Sequence, residues 1–287
     1  MSPNSDRLGY RERVTLRDST LGGLLLLVLL VLATTAAPAS EEKPAYQASY
    51  DRYKAALLER DFETALIHAR KSHALAVDAI GLRSPQTGVL AYNLGAVRYS
   101  LKRYRDAVPA LEEALATYTE NNGPASEKNF LPLRKLGQAH LELENWETAE
   151  RHLVRAIGII EETRERTDPQ ITEILLDLTE IARNLEHAKR MRSYAMRALY
   201  NLHQGENPKA LEVGHVYVSL ATAEMLLGNA SGTNKSLDRA IAIYEIHLTL
   251  EDPELRALYA FAADAFDQTG RESAARKYRR RLREDEG

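Results

Sequence analysis

The side chains able to do chemistry in this chain are its eight histidines, its adjacent acid pairs and one dense run of arginines. There is no cysteine, which removes thiolate catalysis, disulfides and sulfur-ligated metals together. His68 and His73 stand five apart, whereas two metal ligands on one helical face need a spacing of three or four. Glu112 with Glu113, and Glu161 with Glu162, are neighbours in sequence. They diverge on a helix and read as solvated faces, not as an acid–base couple. There is no glycine-rich phosphate loop, no GxSxG elbow and no HExxH pair. We therefore expect no enzyme, no cofactor and no metal. The run Arg276, Lys277, Arg279, Arg280, Arg281 and Arg283 has the chemistry to meet an anionic partner, either lipid headgroups or a protein acid patch. It equally suits a terminal helix whose basic end complements the helix dipole, and Glu284, Asp285 and Glu286 dilute its field at once. The whole chain is near neutral at −3, which gives it no general attraction for nucleic acid.

These residues sit on a periodic scaffold. From Leu94 to Leu115 the chain places Leu94, Val97 and Leu101, then Tyr104, Val108, Leu111 and Leu115, at spacings of three and four, with a polar step at Lys102 and Arg103. That pattern is a helix, a tight turn and a second helix. Neither helix can bury its stripe alone. Leu94 and Gly95 recur as Leu136 and Gly137, Leu178 and Thr179, Leu220 and Ala221, and Ala262 and Ala263, each a step of 42 residues. The polar breaks begin at Gly81, Asn121, Thr167, Gln204 and Glu251, and Pro85, Pro169 and Pro253 are spaced by twice that step. A proline thus marks the loop before every second unit's first helix. No strand-like alternation appears. The expectation is an all-α, right-handed α-solenoid of about six antiparallel hairpins. Pro109 should sit in the first turn of its helix, where a missing donor costs little. Ala230 to Thr233 replace the usual packing residues, so that turn should be looser than the others.

The N-terminus stands apart. Arg7, Arg11, Arg13 and Arg17 precede an apolar run from Leu21 to Ala37, the order of a charged n-region and an h-region in an export signal. Ala37 and Ala39 suit a small-residue cleavage site before Ser40. About 17 apolar residues is also the lower limit for an uncleaved membrane anchor, so residues 1–39 read as a signal peptide or an anchor, and residues 21–37 as the tether in the second case. Either way the arginines stay inside, and residues 40–287 form an exported repeat domain, periplasmic or held at the outer face of the inner membrane. Without the leader's four arginines and three acids the body carries a net charge of about −4.

The repeat resembles the tetratricopeptide family. Its signature reads Leu94, Gly95, Tyr104, Ala107 and Ala114 here, and again Leu136, Gly137, Trp146, Ala149 and Ala156. The usual period is about 34 residues. The longer step of this chain resembles the long-repeat subclass typified by kinesin light chains. The resemblance implies a non-catalytic protein-interaction scaffold whose concave groove, lined by the first helix of each hairpin, holds a protein or peptide segment. It assigns Tyr92, Asn93, Ala96 and Tyr99 to the inner face of the second unit. Arg134, Gln138 and Leu141 follow in the third, and Leu176, Glu180 and Arg183 in the fourth. Asn93 resembles the asparagine that bonds a bound peptide's backbone. Tyr50 and Lys54 stand where carboxylate-clamp members carry a lysine and a second asparagine, so that clamp pattern fails. The rival expectation is a periplasmic lipid- or polymer-binding accessory factor that uses the groove and the basic C-terminal helix.

Overall fold

The computed structural model describes residues 43–163, 168–204 and 210–284. The expected leader or anchor at 1–39, Gly205, and the acidic Asp285 and Glu286 lie outside the described residues. Within the described residues no helix is long and apolar enough to cross a membrane, and there is no strand. The helices are α1 (Ala45–Leu58), α2 (Phe62–Ile80), α3 (Pro85–Ser100), α4 (Tyr104–Asn122), α5 (Phe130–Glu142), α6 (Trp146–Thr163), α7 (Pro169–Asn184), α8 (Ala188–Gln204), α9 (Ala210–Leu226), α10 (Ala230–His247), α11 (Pro253–Gln268) and α12 (Glu272–Glu284), with one 3-10 turn at Glu127–Asn129. They pack as consecutive antiparallel pairs, each against the next. The expected six-hairpin α-solenoid is the observed one.

Close approach within each hairpin depends on a small residue meeting a large one. A Cβ at Gly95 would lie 2.6 Å from Leu111 Cγ, and one at Gly137 would lie 2.5 Å from the same atom of Leu153. The glycines therefore make the slots into which the leucines pack. At the equivalent positions of the fourth unit the sizes are redistributed to Thr179 and Ala195, both buried. The alanines of the signature, Ala107, Ala114, Ala149 and Ala156, are fully buried.

All six hairpins turn in the same way. Arg60, Lys102, Glu144, Glu186, Gly228 and Gly270 recur at the repeat spacing and share a left-handed backbone, with φ from 55° to 78°. The residue after each donates its N–H to the carbonyl five positions back at 2.7 to 2.9 Å, as Arg103 does to Arg98 and Asn145 to His140. This is the Schellman closure of a helix end. Four of the six positions are not glycine, so each carries steric strain of about 1–2 kcal/mol.

Three local expectations change. The evenly spaced prolines are the first helical residues of α3, α7 and α11 rather than loop residues, where a missing donor is free and the fixed φ already suits a helix. Pro109 is the sixth residue of α4, beyond the first-turn donors, so the Arg105 carbonyl loses a partner. The Arg98 guanidinium donates to the adjacent Asp106 carbonyl at 3.0 Å. The turn before α10 is not loose. Asn229 accepts from Gly232 N at 3.1 Å and donates to the buried Glu224 at 2.7 Å, and Glu224 also meets Arg192 of α8 at 2.8 Å.

Candidate interaction groove

The first helices α3, α5 and α7 bring one continuous polar strip to their shared face. Tyr99 on α3 lies under the Lys135 ammonium of α5, 4.3 Å from the ring centroid, a cation–π contact. Lys135 Nζ donates to Gln138 Oε1 at 3.2 Å, and Gln138 Nε2 reaches Asp177 Oδ2 of α7 at 3.5 Å. Beside this strip Arg134 donates to Glu173. At the other edge Tyr99 meets Tyr104 edge-on at 5.2 Å, and the Tyr104 hydroxyl hydrogen bonds to Glu142. Three successive hairpins are thus linked through side chains of their first helices, among which Lys135 and Asp177 stand one repeat step apart.

Burial sets the electrostatics of the strip. It pushes the Asp177 carboxyl up to about 6 against the lowering influence of Gln138 and Arg134, with Glu180 and Glu173 adding to the rise. It lowers Lys135, aided by the neighbouring Arg134. Tyr99 is pushed up to about 12, first by burial and then by Glu142, Tyr104 and Asp177. A cation and an anion are therefore held half-desolvated side by side, where a ligand's polar groups meet them at reduced screening. Two donors on the same helices, Asn93 Nδ2 and Arg134 Nε, are buried without an acceptor.

The expected groove residues divide. Tyr99, Gln138 and Arg134 join the strip. Tyr92, with Tyr99, also packs on Ala107, Leu111 and Leu136. Ala96 is half-buried beside them, and Leu141 and Leu176 pack against the central core cluster. Glu180 and Arg183 are exposed and pair with each other at 3.6 Å, and Glu180 bears on the strip only through its charge beside Asp177. Lys135, Asp177 and Glu173 were missed, although one repeat step from Asn93 leads to Lys135 and the next to Asp177.

The other chemically able residues are engaged in packing. Glu113 is not simply solvated, for it takes His73 at 2.7 Å across α2 and α4. Glu161 likewise pairs with Arg197, while Glu112 and Glu162 are exposed. The basic C-terminal run is largely neutralised. Arg276 meets Glu272 at 3.2 Å, and Arg279 meets Asp264 at 3.2 Å and Asp267 at 2.5 Å. Arg281 pairs with Glu245 and donates to Tyr259 at 2.7 Å. Lys277 lies over the Tyr278 ring at 4.9 Å, and Arg283 donates to the Arg279 carbonyl at 3.4 Å; Arg280 shares the helix. Among the described residues no group of three or more histidines and acids is placed to hold a metal ion.

Residues 46–120 match the tetratricopeptide repeat family model. No curated protein matches the chain. Among solved structures, BtubC (BKLC) from P. vanneervenii is similar over 70% of this chain and 80% of its own, at 17% identity and a TM-score of 0.57. A tetratricopeptide repeat protein from Parabacteroides merdae covers 83% and 78%, at 16% identity and 0.56. YrrB, described as a tetratricopeptide repeat protein with an unusual peptide-binding site, covers 72% and 90%, at 19% identity and 0.55. Residues 46–120 thus carry the tetratricopeptide repeat sequence, and the six hairpins share the fold of solved tetratricopeptide repeat proteins.

Proposed function

We propose that the chain is a non-catalytic interaction scaffold of the cell envelope that holds a segment of a partner protein against α3, α5 and α7. The observation that carries this reading is the strip Tyr99, Lys135, Gln138 and Asp177, which keeps two opposite charges half-buried across three hairpins. A protein uses such costly groups where a ligand completes their hydrogen bonds. The unsatisfied Asn93 amide has the chemistry to meet a backbone carbonyl. YrrB, of similar fold, is described by its peptide-binding site, which supports a peptide as the ligand class. The envelope setting rests on the n-region and apolar run of residues 1–37, and the mass of the mature protein distinguishes a cleaved leader, starting at Ser40, from a retained tether. The lipid- or polymer-binding reading draws little support from the C-terminal helix, where Arg276, Arg279 and Arg281 are already paired with Glu272 and with acids of α10 and α11.

The test is a cross-linking pull-down from the native envelope fraction with wild type and the Tyr99→Ala, Lys135→Ala double variant. Partner recovery should fall about tenfold, the equivalent of about 1.4 kcal/mol. Equal recovery would refute the groove.

A further inference from the structure

We infer that the layer of second helices carries a separate docking site, between α6 and α8, for an acidic peptide segment anchored by an apolar or aromatic side chain. A cleft of about 480 Å³ opens there, lined by Glu150, Arg151, Val154, Arg155, Arg190 and Tyr194. One wall is fixed. Glu150 is buried and accepts from Arg190 Nη1 at 2.7 Å and from the Tyr194 hydroxyl at 3.0 Å, so the Arg190 charge is already compensated.

The remaining charge is not. Arg151 donates to the neutral Thr148 hydroxyl at 3.0 Å, and among the described residues no carboxylate meets Arg151 or Arg155. Both are exposed, and Val154 between them is 46% exposed. Met196, one repeat further along, and Tyr200 continue the apolar surface at 51% and 60%. His152 adds no charge at neutral pH, because burial, His140 and the two arginines depress it to about 4.

Solenoid packing does not demand these residues. One repeat earlier the same shelf carries Pro109, Glu112 and Glu113 in place of Arg151, Val154 and Arg155, and the hairpins stack there equally well. The sign of the free charge selects an acidic occupant. The concave, two-arginine geometry selects a side-chain-sized anchor over a flat membrane. Further along the same column Arg197 and Arg281 are tied to Glu161 and Glu245, which leaves the exposed Arg239 between them isolated and the free charge discontinuous.

The experiment uses the full chain and fluorescence anisotropy. The probe is a labelled peptide of about twelve residues, rich in Glu and Asp around a central Trp-Leu pair, with a control in which every acid is Lys. The acidic peptide should bind saturably and at least about tenfold more tightly than the control. Arg151→Glu with Arg155→Glu should weaken it about tenfold or more with unchanged helical content, and Val154→Ser should weaken it without altering charge. The Tyr99→Ala, Lys135→Ala groove variant should bind it like wild type, which separates this site from the proposed groove. Absence of saturable binding, equal affinity for the basic peptide, or indifference to the arginine reversals would overturn the inference. So would complete competition by vesicles of anionic phospholipid, which would assign the cleft to a lipid surface.

Discussion

Replacing Asp177 by Asn should make the protein more stable at neutral pH, and the gain should vanish in acid. Burial raises the Asp177 carboxyl from its ordinary 3.8 to about 6. Between those values the native state binds more protons at this site than the unfolded chain does, so the site's contribution falls as pH rises. Above about pH 6 the full cost of a half-desolvated carboxylate is present. The gap of about two pH units, at about 1.4 kcal/mol each, amounts to about 3 kcal/mol. The residue keeps some solvent contact, which reduces the expected gain to about 1–3 kcal/mol. Asn retains an oxygen that accepts from Gln138 Nε2 but carries no charge to desolvate. The assay is urea unfolding of wild type and variant at about pH 3.5, 5 and 7.5, read as the midpoint difference multiplied by the shared slope. His152 titrates across the same range with the opposite sign. Its value is depressed to about 4, so its contribution is lost as pH falls, but it acts equally in both proteins and cancels in the difference. A variant no more stable than wild type at about pH 7.5, or a gain that persists unchanged at about pH 3.5, would refute the reasoning.

Two further outcomes follow from the hairpin geometry. Glu144→Gly should raise the urea midpoint, because relieving a left-handed residue of about 1–2 kcal/mol outweighs the added unfolded-state freedom of about 0.4–1 kcal/mol; a lowered midpoint would show that the turn is not strained. Gly137→Ala should cost about 1–3 kcal/mol by overpacking against Leu153, and combined with Leu153→Ala it should cost less than the two single changes together. Strict additivity in that double-mutant cycle would remove the slot argument.

The periodic part of the structure was legible because packing demands particular residue types. Leu94 with Gly95 and Leu136 with Gly137 announce two helices in close contact, and buried alanines recur where the next helix presses. The turns were only half legible. Gly228 and Gly270 advertise a left-handed residue, but Arg60, Lys102, Glu144 and Glu186 adopt the same backbone under the pull of the closing hydrogen bonds, and their side chains give no hint of it. The groove was legible as a face but not as a network. Tyr99 and Gln138 came from the family pattern, whereas Lys135 and Asp177 follow only when the repeat register is carried forward from Asn93 residue by residue. The basic run looked diluted only by the three acids that follow it in sequence. Its main neutralising partners, Glu245, Asp264 and Asp267, lie on α10 and α11 and meet it only after folding.

The prolines that open α3, α7 and α11 bear on how such a chain can change its length. The first helix between the first two, α5, instead carries its proline, Pro132, at its third position behind the 3-10 turn at Glu127–Asn129, so the entries to α3 and α5 differ while those to α3, α7 and α11 are alike. Removing or adding a single hairpin would splice two different junction chemistries. Removing residues 85–168 would set Ser84 directly before Pro169, restoring a residue-before-proline entry of the kind already present. Loss of that doublet would therefore keep a proline-headed entry intact, whereas loss of the single hairpin headed by Pro85 would join Ser84 to the different entry of α5.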